Sequence, residues 1–231
     1  MNQQAAKLAA AQHALRYIQP GMVVGLGSGS TAALFIQLLG EQVKAGLDIK
    51  GIASSQDSED QARALGIPIT DFDHHNTIDV AIDGADEIGP GMALIKGGGG
   101  KLLREKIVAS AAKRFIIVAD ETKLVSTLGA FPLPVEVIPM AVPLVDARLR
   151  DLGFTPKIRP SKTGPGPYIT DEGNILLDCS SSGIADPEET AAEIRSIIGV
   201  VEHGLFLGMA ERALIAGSEG VREITPADLP A

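Results

Sequence analysis

Two hydrophobic periods alternate along the first 120 residues. Residues 3–18 set Leu8, Leu15 and Ile18 on a mostly alanine face, a helical spacing that Pro20-Gly21 ends. Met22–Leu26 is a short apolar run, the mark of a buried strand; glycines and hydroxyls follow, then a helical pattern from Thr31 to about Lys44. The same reading predicts strands at Ile49–Ala53, Ile78–Ile82 and Phe115–Ala119, with helices at Gln56–Leu65 and Gly99–Ala112. Strands separated by helices predict an α/β fold, a doubly wound, mostly parallel sheet covered on both faces.

The pattern changes near Phe131. Phe131–Pro139 is proline-punctuated and extended, and a helix is predicted over Val142–Leu152. Strands at Thr155–Ile158, Tyr168–Thr170 and Ile175–Asp178 follow, then a helix at Pro187–Ile197 and a strand at Val200–Glu202. The order β-α-β-β-α-β is that of a split βαβ, ferredoxin-like unit. Arg212–Ala216 again reads as a strand, expected to rejoin the first sheet.

Composition narrows the possible functions. The 231 residues are 45% hydrophobic and 21% charged, enough for a full core without staples. The one cysteine, Cys179, excludes a disulfide framework and a Cys-rich zinc cluster, and His13, His74, His75 and His203 have no recognised ligand spacing. A net charge of −9 and 3% aromatics disfavour nucleic acid, because an acidic surface repels phosphate and offers few stacking platforms. The purest apolar run, Phe115–Ala119, is too short to cross a bilayer, and residues 2–19 have no secretory pattern. The expectation is a cytoplasmic protein that binds neither nucleic acid nor membrane.

Three segments carry candidate chemistry. Gly25–Thr31 lies between a strand end and a helix start, where free N–H groups, the dipole and the hydroxyls of Ser28, Ser30 and Thr31 can cradle a phosphate. It fits the dinucleotide pattern only in relaxed form, with no ribose-binding acid after the second strand; a tight turn with a helix cap is the plainer alternative. Asp83-Gly84-Ala85-Asp86-Glu87 follows the third strand, where open α/β sheets bind ligands, although such a turn can equally be a solvated acidic one. Lys96-Gly97-Gly98-Gly99-Gly100-Lys101 spends four consecutive glycines before a helix, an entropic cost a merely structural loop seldom bears. It is not a Walker A loop, since Ile95 and Leu102 stand where glycine and a hydroxyl belong. Its N–H groups would form an anion nest with Lys96 beside it, and Glu105 on the helix could face the same cleft or pair with a surface cation. Lys123, after the fourth strand, could reach that cleft or lie exposed. All three loops are read as following strands of one sheet. An anion cradle, carboxylates, a lysine and a helical glutamate suit proton transfer on a phosphorylated sugar.

At this point the chain resembles the ribose-5-phosphate isomerases of type A. The resemblance rests on Gly25–Thr31, Ser54-Ser55 with Ala62 and Leu65-Gly66-Ile67, Asp83–Ile88, Lys96–Ile107, Phe131–Pro139 and Val200–Phe206. It implies an α/β domain of residues 1–131 and 207–231, with a smaller α+β domain, 132–206, inserted before the last strands. It implies interconversion of D-ribose 5-phosphate and D-ribulose 5-phosphate through a cis-enediolate in the non-oxidative pentose phosphate pathway. No metal or organic cofactor is implied, and the assembly would be a homodimer or homotetramer. Position by position, Glu105 matches the general base, while Asp83 and Lys96 match residues that handle ring opening and the sugar oxygens. Ser28, Gly29, Ser30, Thr31, Asp83, Gly84, Ala85, Asp86, Lys96, Gly97, Gly98, Gly99 and Lys123 match substrate-binding positions.

Ser28 and Ser58 stand for a usual threonine, Lys101 replaces a small residue, and the loop Pro160–Pro167 is longer than usual. Lys101 is expected to turn toward solvent. A sugar-phosphate sensor and a related deaminase or CoA transferase are the alternatives. No helix-turn-helix precedes Met22, and the separation of Asp83, Lys96 and Glu105 favours the isomerase.

Overall fold

A computed structural model describes residues 2–229, with the expected elements in order, apart from the strand at Tyr168–Thr170, and their ends shifted by a few residues. The helices are α1 (Gln3–Ala14), α2 (Gly29–Lys44), α3 (Gln56–Ala64), α4 (Leu102–Ala111), α5 (Val142–Asp151) and α6 (Pro187–Ser196). The strands are β1 (Val23–Leu26), β2 (Lys50–Ala53), β3 (Val80–Asp83), β4 (Glu87–Ile88), β5 (Leu94–Ile95), β6 (Phe115–Asp120) and β7 (Leu133–Val137). They continue with β8 (Thr155–Ile158), β9 (Ile175–Ser180), β10 (Val200–His203), β11 (Leu205–Phe206), β12 (Arg212–Gly217) and β13 (Gly220–Ile224).

Six strands form the main sheet in the order β13-β12-β6-β3-β1-β2, parallel except for the edge hairpin partner β13. Arg212–Gly217 rejoins this sheet beside β6, as expected. Period-two alternation divides its residues between two cores. Val24, Leu26, Ile116, Val118, Leu214 and Ala216 pack with the Ala6, Ala10, Ala11 and Ala14 face of α1 and with Phe35, Ile36 and Leu39 of α2. Val23, Ala81, Phe115, Ile117, Ala213 and Ile215 face the other way, onto Val108 and Ala109 of α4 and onto Leu94 and Phe206. Covering both faces is why these strands read as unbroken apolar runs rather than as alternating ones. Because β2 and β3 flank β1 on opposite sides, the crevice at the carboxyl ends of β1 and β3 is a topological switch point.

The second half forms a four-stranded antiparallel sheet, β10-β7-β9-β8, with α5 and α6 on one face. That order is the one expected of a ferredoxin-like β-α-β-β-α-β unit. Val135, Val137, Leu177 and Cys179 meet Val145, Leu149 and Ile194 across this core. Burial pushes the Cys179 thiol up to about 12, so it acts as a small packed hydrophobe.

The structure departs from the sequence reading at three places. Tyr168–Thr170 is not a strand; the segment makes only isolated bridges, such as Ile169 to Ile175. The helix expected from Gly99 begins at Leu102, because Gly97 and Gly100 take φ of +98° and +89°, which a right-handed helix cannot use. A third sheet, β11-β5-β4, escaped the pattern because its strands are two residues each. Lys96 follows β5 of this small sheet, so the three candidate loops do not all follow strands of one sheet.

Candidate active site

The β1 and β3 ends meet through backbone and carboxylate. The Gly27 N–H donates to the Ile82 carbonyl at 3.0 Å. A Cβ at Gly27 would lie 2.3 Å from Asp83 Cγ, so only glycine lets the two loops close. Asp83 Oδ1 accepts from the N–H groups of Ser28 at 3.0 Å and of Gly84 at 2.7 Å. Its Oδ2 lies 2.9 Å from Lys96 Nζ, which also donates to the Gly84 carbonyl at 2.7 Å. Asp83 therefore joins all three loops. It lies beneath the cavity and does not line it.

Lys96 is seated from the opposite side. Its N–H donates to the Gly204 carbonyl at 2.9 Å, and a Cβ on Gly204 would clash with the Lys96 carbonyl at 2.4 Å. This gives the glycine of Val200–Phe206 a steric reason. The Lys96 ammonium also lies 5.5 Å from the centre of the Phe206 ring.

Glu105 stands on the first turn of α4, which begins at Leu102. Its Oε2 lies 3.3 Å from Lys96 Nζ, as an ion pair without hydrogen-bond geometry, and no other partner reaches that oxygen among the described residues. Burial pushes the Glu105 carboxyl up to about 7, even against the pull of Lys96, and Asp83 and Asp86 add to the rise. Burial pulls Lys96 the other way, but the carboxylates of Asp83 and Glu105 outweigh it and hold the ammonium above the ordinary lysine range. The result is a fixed cation beside a carboxyl that can change protonation near neutrality.

A cavity of about 130 Å³ opens over this pair. Its lining includes Ser28, Gly29, Ser30 and Thr31 at the start of α2, Gly84, Ala85 and Asp86 after β3, and Gly97, Gly98 and Gly99 of the glycine loop. Lys96, Glu105 and Lys123 line it as well. Apart from Asp83, every residue matched to a catalytic or substrate-binding position lines this cavity, whereas Glu87 turns away and accepts from the N–H groups of Gly129 and Phe131. Ser28 lines it while its hydroxyl meets Ser54 Oγ at 2.8 Å, and Ser58 donates to the Gly27 carbonyl at 2.7 Å. The hydroxyls of Ser54 and Ser58 thus brace the α2 N-terminus from below.

Lys7 was missed. It lines the cavity from α1 and donates to Ser30 Oγ at 3.0 Å. No neighbouring residue marked it, because its approach depends on how α1 lies against α2. Lys101 does not turn to solvent; it pairs with Asp171 at 2.6 Å and is mostly buried. The turn containing Asp171 and Glu172 folds over the start of α4, where Glu172 also holds Arg104.

The arrangement can hold an anion at a helix N-terminus, fix a positive charge and offer a carboxylate base within one small cavity. Comparison with known proteins agrees. A sequence model of ribose 5-phosphate isomerase A (phosphoriboisomerase A) matches residues 50–220. The chain is 49% identical over 226 residues to ribose-5-phosphate isomerase A of Sinorhizobium fredii, covering 95% of this chain and 96% of that one. It is 51% identical over 223 residues to the protein of that name from Gluconobacter oxydans, with 95% and 96% covered. Among solved structures it superposes on ribose 5-phosphate isomerase A of Methanocaldococcus jannaschii with a TM-score of 0.92, at 41% identity over 96% of this chain and 98% of the other. A D-ribose-5-phosphate isomerase solved in complex with phospho-erythronic acid gives 0.95 at 41% identity, over 97% and 100% of the two chains. The chain belongs to the ribose 5-phosphate isomerase A family.

Proposed function

We propose that this site interconverts D-ribose 5-phosphate and D-ribulose 5-phosphate, with Glu105 as the base, Lys96 as the electrophile and Asp83 as the group that sets Lys96. The observation that carries the reading is the Lys96 ammonium held between Asp83 and Glu105 at 2.9 and 3.3 Å under a cavity rimmed by N–H groups. The phosphate fits the N-terminus of α2, with the hydroxyls of Ser30 and Thr31 and the ammonium groups of Lys7 and Lys123 around it. Gly84, Ala85 and Asp86 take the sugar hydroxyls.

The steps follow from the charges. Asp83 and Lys96 relay the proton that opens the furanose ring. Glu105 removes the C2 proton, and the electron pair moves toward O1 to give a cis-enediolate. Lys96 and the Gly99 N–H stabilise the charge that develops on oxygen. The O2 proton passes to O1, and Glu105 returns its proton to C1. A carboxylate is a weak base for a carbon acid, so the burial that raises Glu105 also strengthens it. The grip on the distant phosphate supplies binding energy for alignment. The steps as written use only this chain's own groups, with no metal or organic cofactor.

The same reading takes residues 1–131 with 207–231 as one domain and 132–206 as a second; the separate core between the four-stranded sheet and α5–α6 supports it. It takes the protein as a cytoplasmic homodimer or homotetramer serving pentose phosphate metabolism. Ile138, Met140, Leu144 and Ile198 support self-association, being large apolar side chains left exposed. Light scattering after gel filtration tests the assembly. The central test is NMR of ribose 5-phosphate with the protein in D2O and EDTA. Ribulose 5-phosphate is expected to form, with deuterium at C1 to the extent that the Glu105 proton exchanges with solvent before its return; no conversion in either direction would reject the function, and activity lost to EDTA would reject the metal-free steps.

A further inference from the structure

The glycine loop that borders the cavity is gripped from behind by one side chain of the four-stranded sheet. Arg159 immediately follows β8 and is 8% exposed. Its Nη1 donates to the Gly97 carbonyl at 2.9 Å and to the Gly98 carbonyl at 3.2 Å. Its Nη2 and Nε donate to Asp178 of β9 at 2.5 and 3.0 Å, a two-pronged pair that fixes the guanidinium plane. No element of the six-stranded sheet takes part in this clamp.

The geometry of the peptide turns that grip into an effect on the cavity. In a trans peptide the C=O and the following N–H point in opposite directions. Holding the Gly97 carbonyl outward sends the Gly98 N–H the other way, and that N–H meets Asp86 Oδ2 at 2.7 Å. Holding the Gly98 carbonyl outward likewise sends the Gly99 N–H toward the cavity that Gly97, Gly98 and Gly99 line. The Gly99 N–H has no acceptor among the described residues. Arg159 lines a different cavity, of about 390 Å³, on the far side of Gly98. The loop is therefore a thin wall between two spaces, and glycine peptides can flip at little steric cost. On the outer side of that wall, Arg159 is the cation fixed against the loop carbonyls.

We infer that Arg159 is a positioning residue for the isomerisation: by holding the Gly97 and Gly98 carbonyls it keeps the Gly99 N–H aimed at the oxygen where enediolate charge develops. The inference rests on the isomerase reading above and adds a residue with no contact to the substrate. It also gives the four-stranded sheet a part in the chemistry, since Asp178 holds the arginine that holds the loop.

The test is the Arg159→Ala variant, assayed in parallel with wild type for turnover, for binding of arabinose 5-phosphate and for thermal unfolding. Loss of an aimed donor is expected to lower kcat about 10²-fold, as ångström-scale misplacement does. Analogue affinity should change less than about threefold, because the phosphate contacts lie elsewhere. The variant opens the clamp site to the 390 Å³ cavity, so guanidinium chloride in the millimolar range should restore at least tenfold of the lost kcat. Methylammonium should not, having no fork to bridge Asp178 and two carbonyls. Arg159→Lys should fall between wild type and Arg159→Ala in kcat while retaining the wild-type Tm. A kcat within threefold of wild type in Arg159→Ala would overturn the inference. So would parallel losses of kcat, analogue affinity and Tm that guanidinium does not reverse, since a purely structural tie predicts that pattern. Failure of the wild type itself to convert ribose 5-phosphate would instead overturn the reading on which the inference rests.

Discussion

Two buried charge clusters lie side by side at α4 and share the ring of Phe206, yet the acid at the centre of each behaves oppositely. Lys96 approaches that ring to 5.5 Å and Lys106 to 4.8 Å. In the first cluster Glu105 is pushed up to about 7. In the second, burial also pushes Glu202 up, but Lys106, the His203 N–H and Arg195 outweigh it and hold the carboxyl at about 2. Donor count explains the difference. Glu202 accepts from Lys106 at 2.8 Å, from Arg195 at 2.7 and 2.8 Å, and from the His203 N–H at 2.9 Å. Glu105 faces a single ammonium at 3.3 Å, and Asp83 has the closer share of it. A fully satisfied carboxylate is a brace, whereas a buried and under-satisfied one is a base in waiting.

Breaking the first cluster should cost most at Lys96. Lys96→Met removes the charge nearest the developing oxyanion, and kcat should fall ~10²–10³-fold, the usual loss for one such donor. Steady-state kinetics check it; a near-normal kcat with only a raised KM would make Lys96 a ground-state ligand instead.

Next comes the base. Glu105→Gln keeps size and polarity but cannot accept the C2 proton, and kcat should fall at least ~10²-fold. Glu105→Asp should also be impaired, because the shorter arm withdraws the carboxylate. Binding of arabinose 5-phosphate should be nearly unchanged. C2 proton exchange by NMR at close to the wild-type rate in Glu105→Gln would move the base elsewhere, with Asp83 the first suspect.

The comparison sharpens with pH. Glu105 must be ionised to act, and its raised pKa moves the acid limb up toward neutrality. The C2 exchange rate should therefore fall about tenfold per unit below pH ~7 and level off above it, whereas an ordinary carboxylate would break near 4.3. The substrate phosphate ionises near pH ~6, so arabinose 5-phosphate binding over the same range separates its contribution. Glu202→Gln should leave the limb where it is. A limb that moves with Glu202 would show that the two clusters titrate as one. The stability contributed by Glu202 has the opposite dependence. A depressed native pKa stabilises above the unfolded value of about 4.3 and loses that effect as pH falls toward 2. The acid unfolding of Glu202→Gln should accordingly lack part of the wild-type slope between those values.

The smallest effect is expected at Lys101. Its pairing with Asp171 is duplicated by Arg104 and Glu172 on the same turn, so Lys101→Ala should change kcat/KM less than ~threefold. A larger loss that shrinks at high salt would show that the lysine steers an anionic substrate into an acidic protein.

Much of the site was legible because its requirements are local. A strand-to-helix turn that presents N–H groups needs Gly27 and Gly29 whatever surrounds it, and a left-handed turn needs Gly97 and Gly100. Acids after β3 and a lysine before four glycines announce themselves at fixed spacing. Lys7 and Arg159 gave no such signal. Lys7 reaches the cavity only because small alanines let α1 lie close along α2 and the sheet, and Arg159 reaches the glycine loop from 61 residues away along the chain. The mistaken strand at Tyr168–Thr170 has the same origin. The Tyr168 ring fills the space a Cβ on Gly100 would need while Ile169 stays exposed, so a tertiary contact of one side chain, rather than sheet pairing, accounts for the segment.

The amino-acid order alone therefore determined the period of the longer elements, the types of the two larger sheets and the three loops able to carry charge, since backbone sterics and side-chain spacing act over a few residues. Only the folded chain decided which carboxylate became basic. That property depends on how many donors converge from distant segments and on how much water they exclude. Glu105 and Glu202 are the same residue type until the sheets close around them.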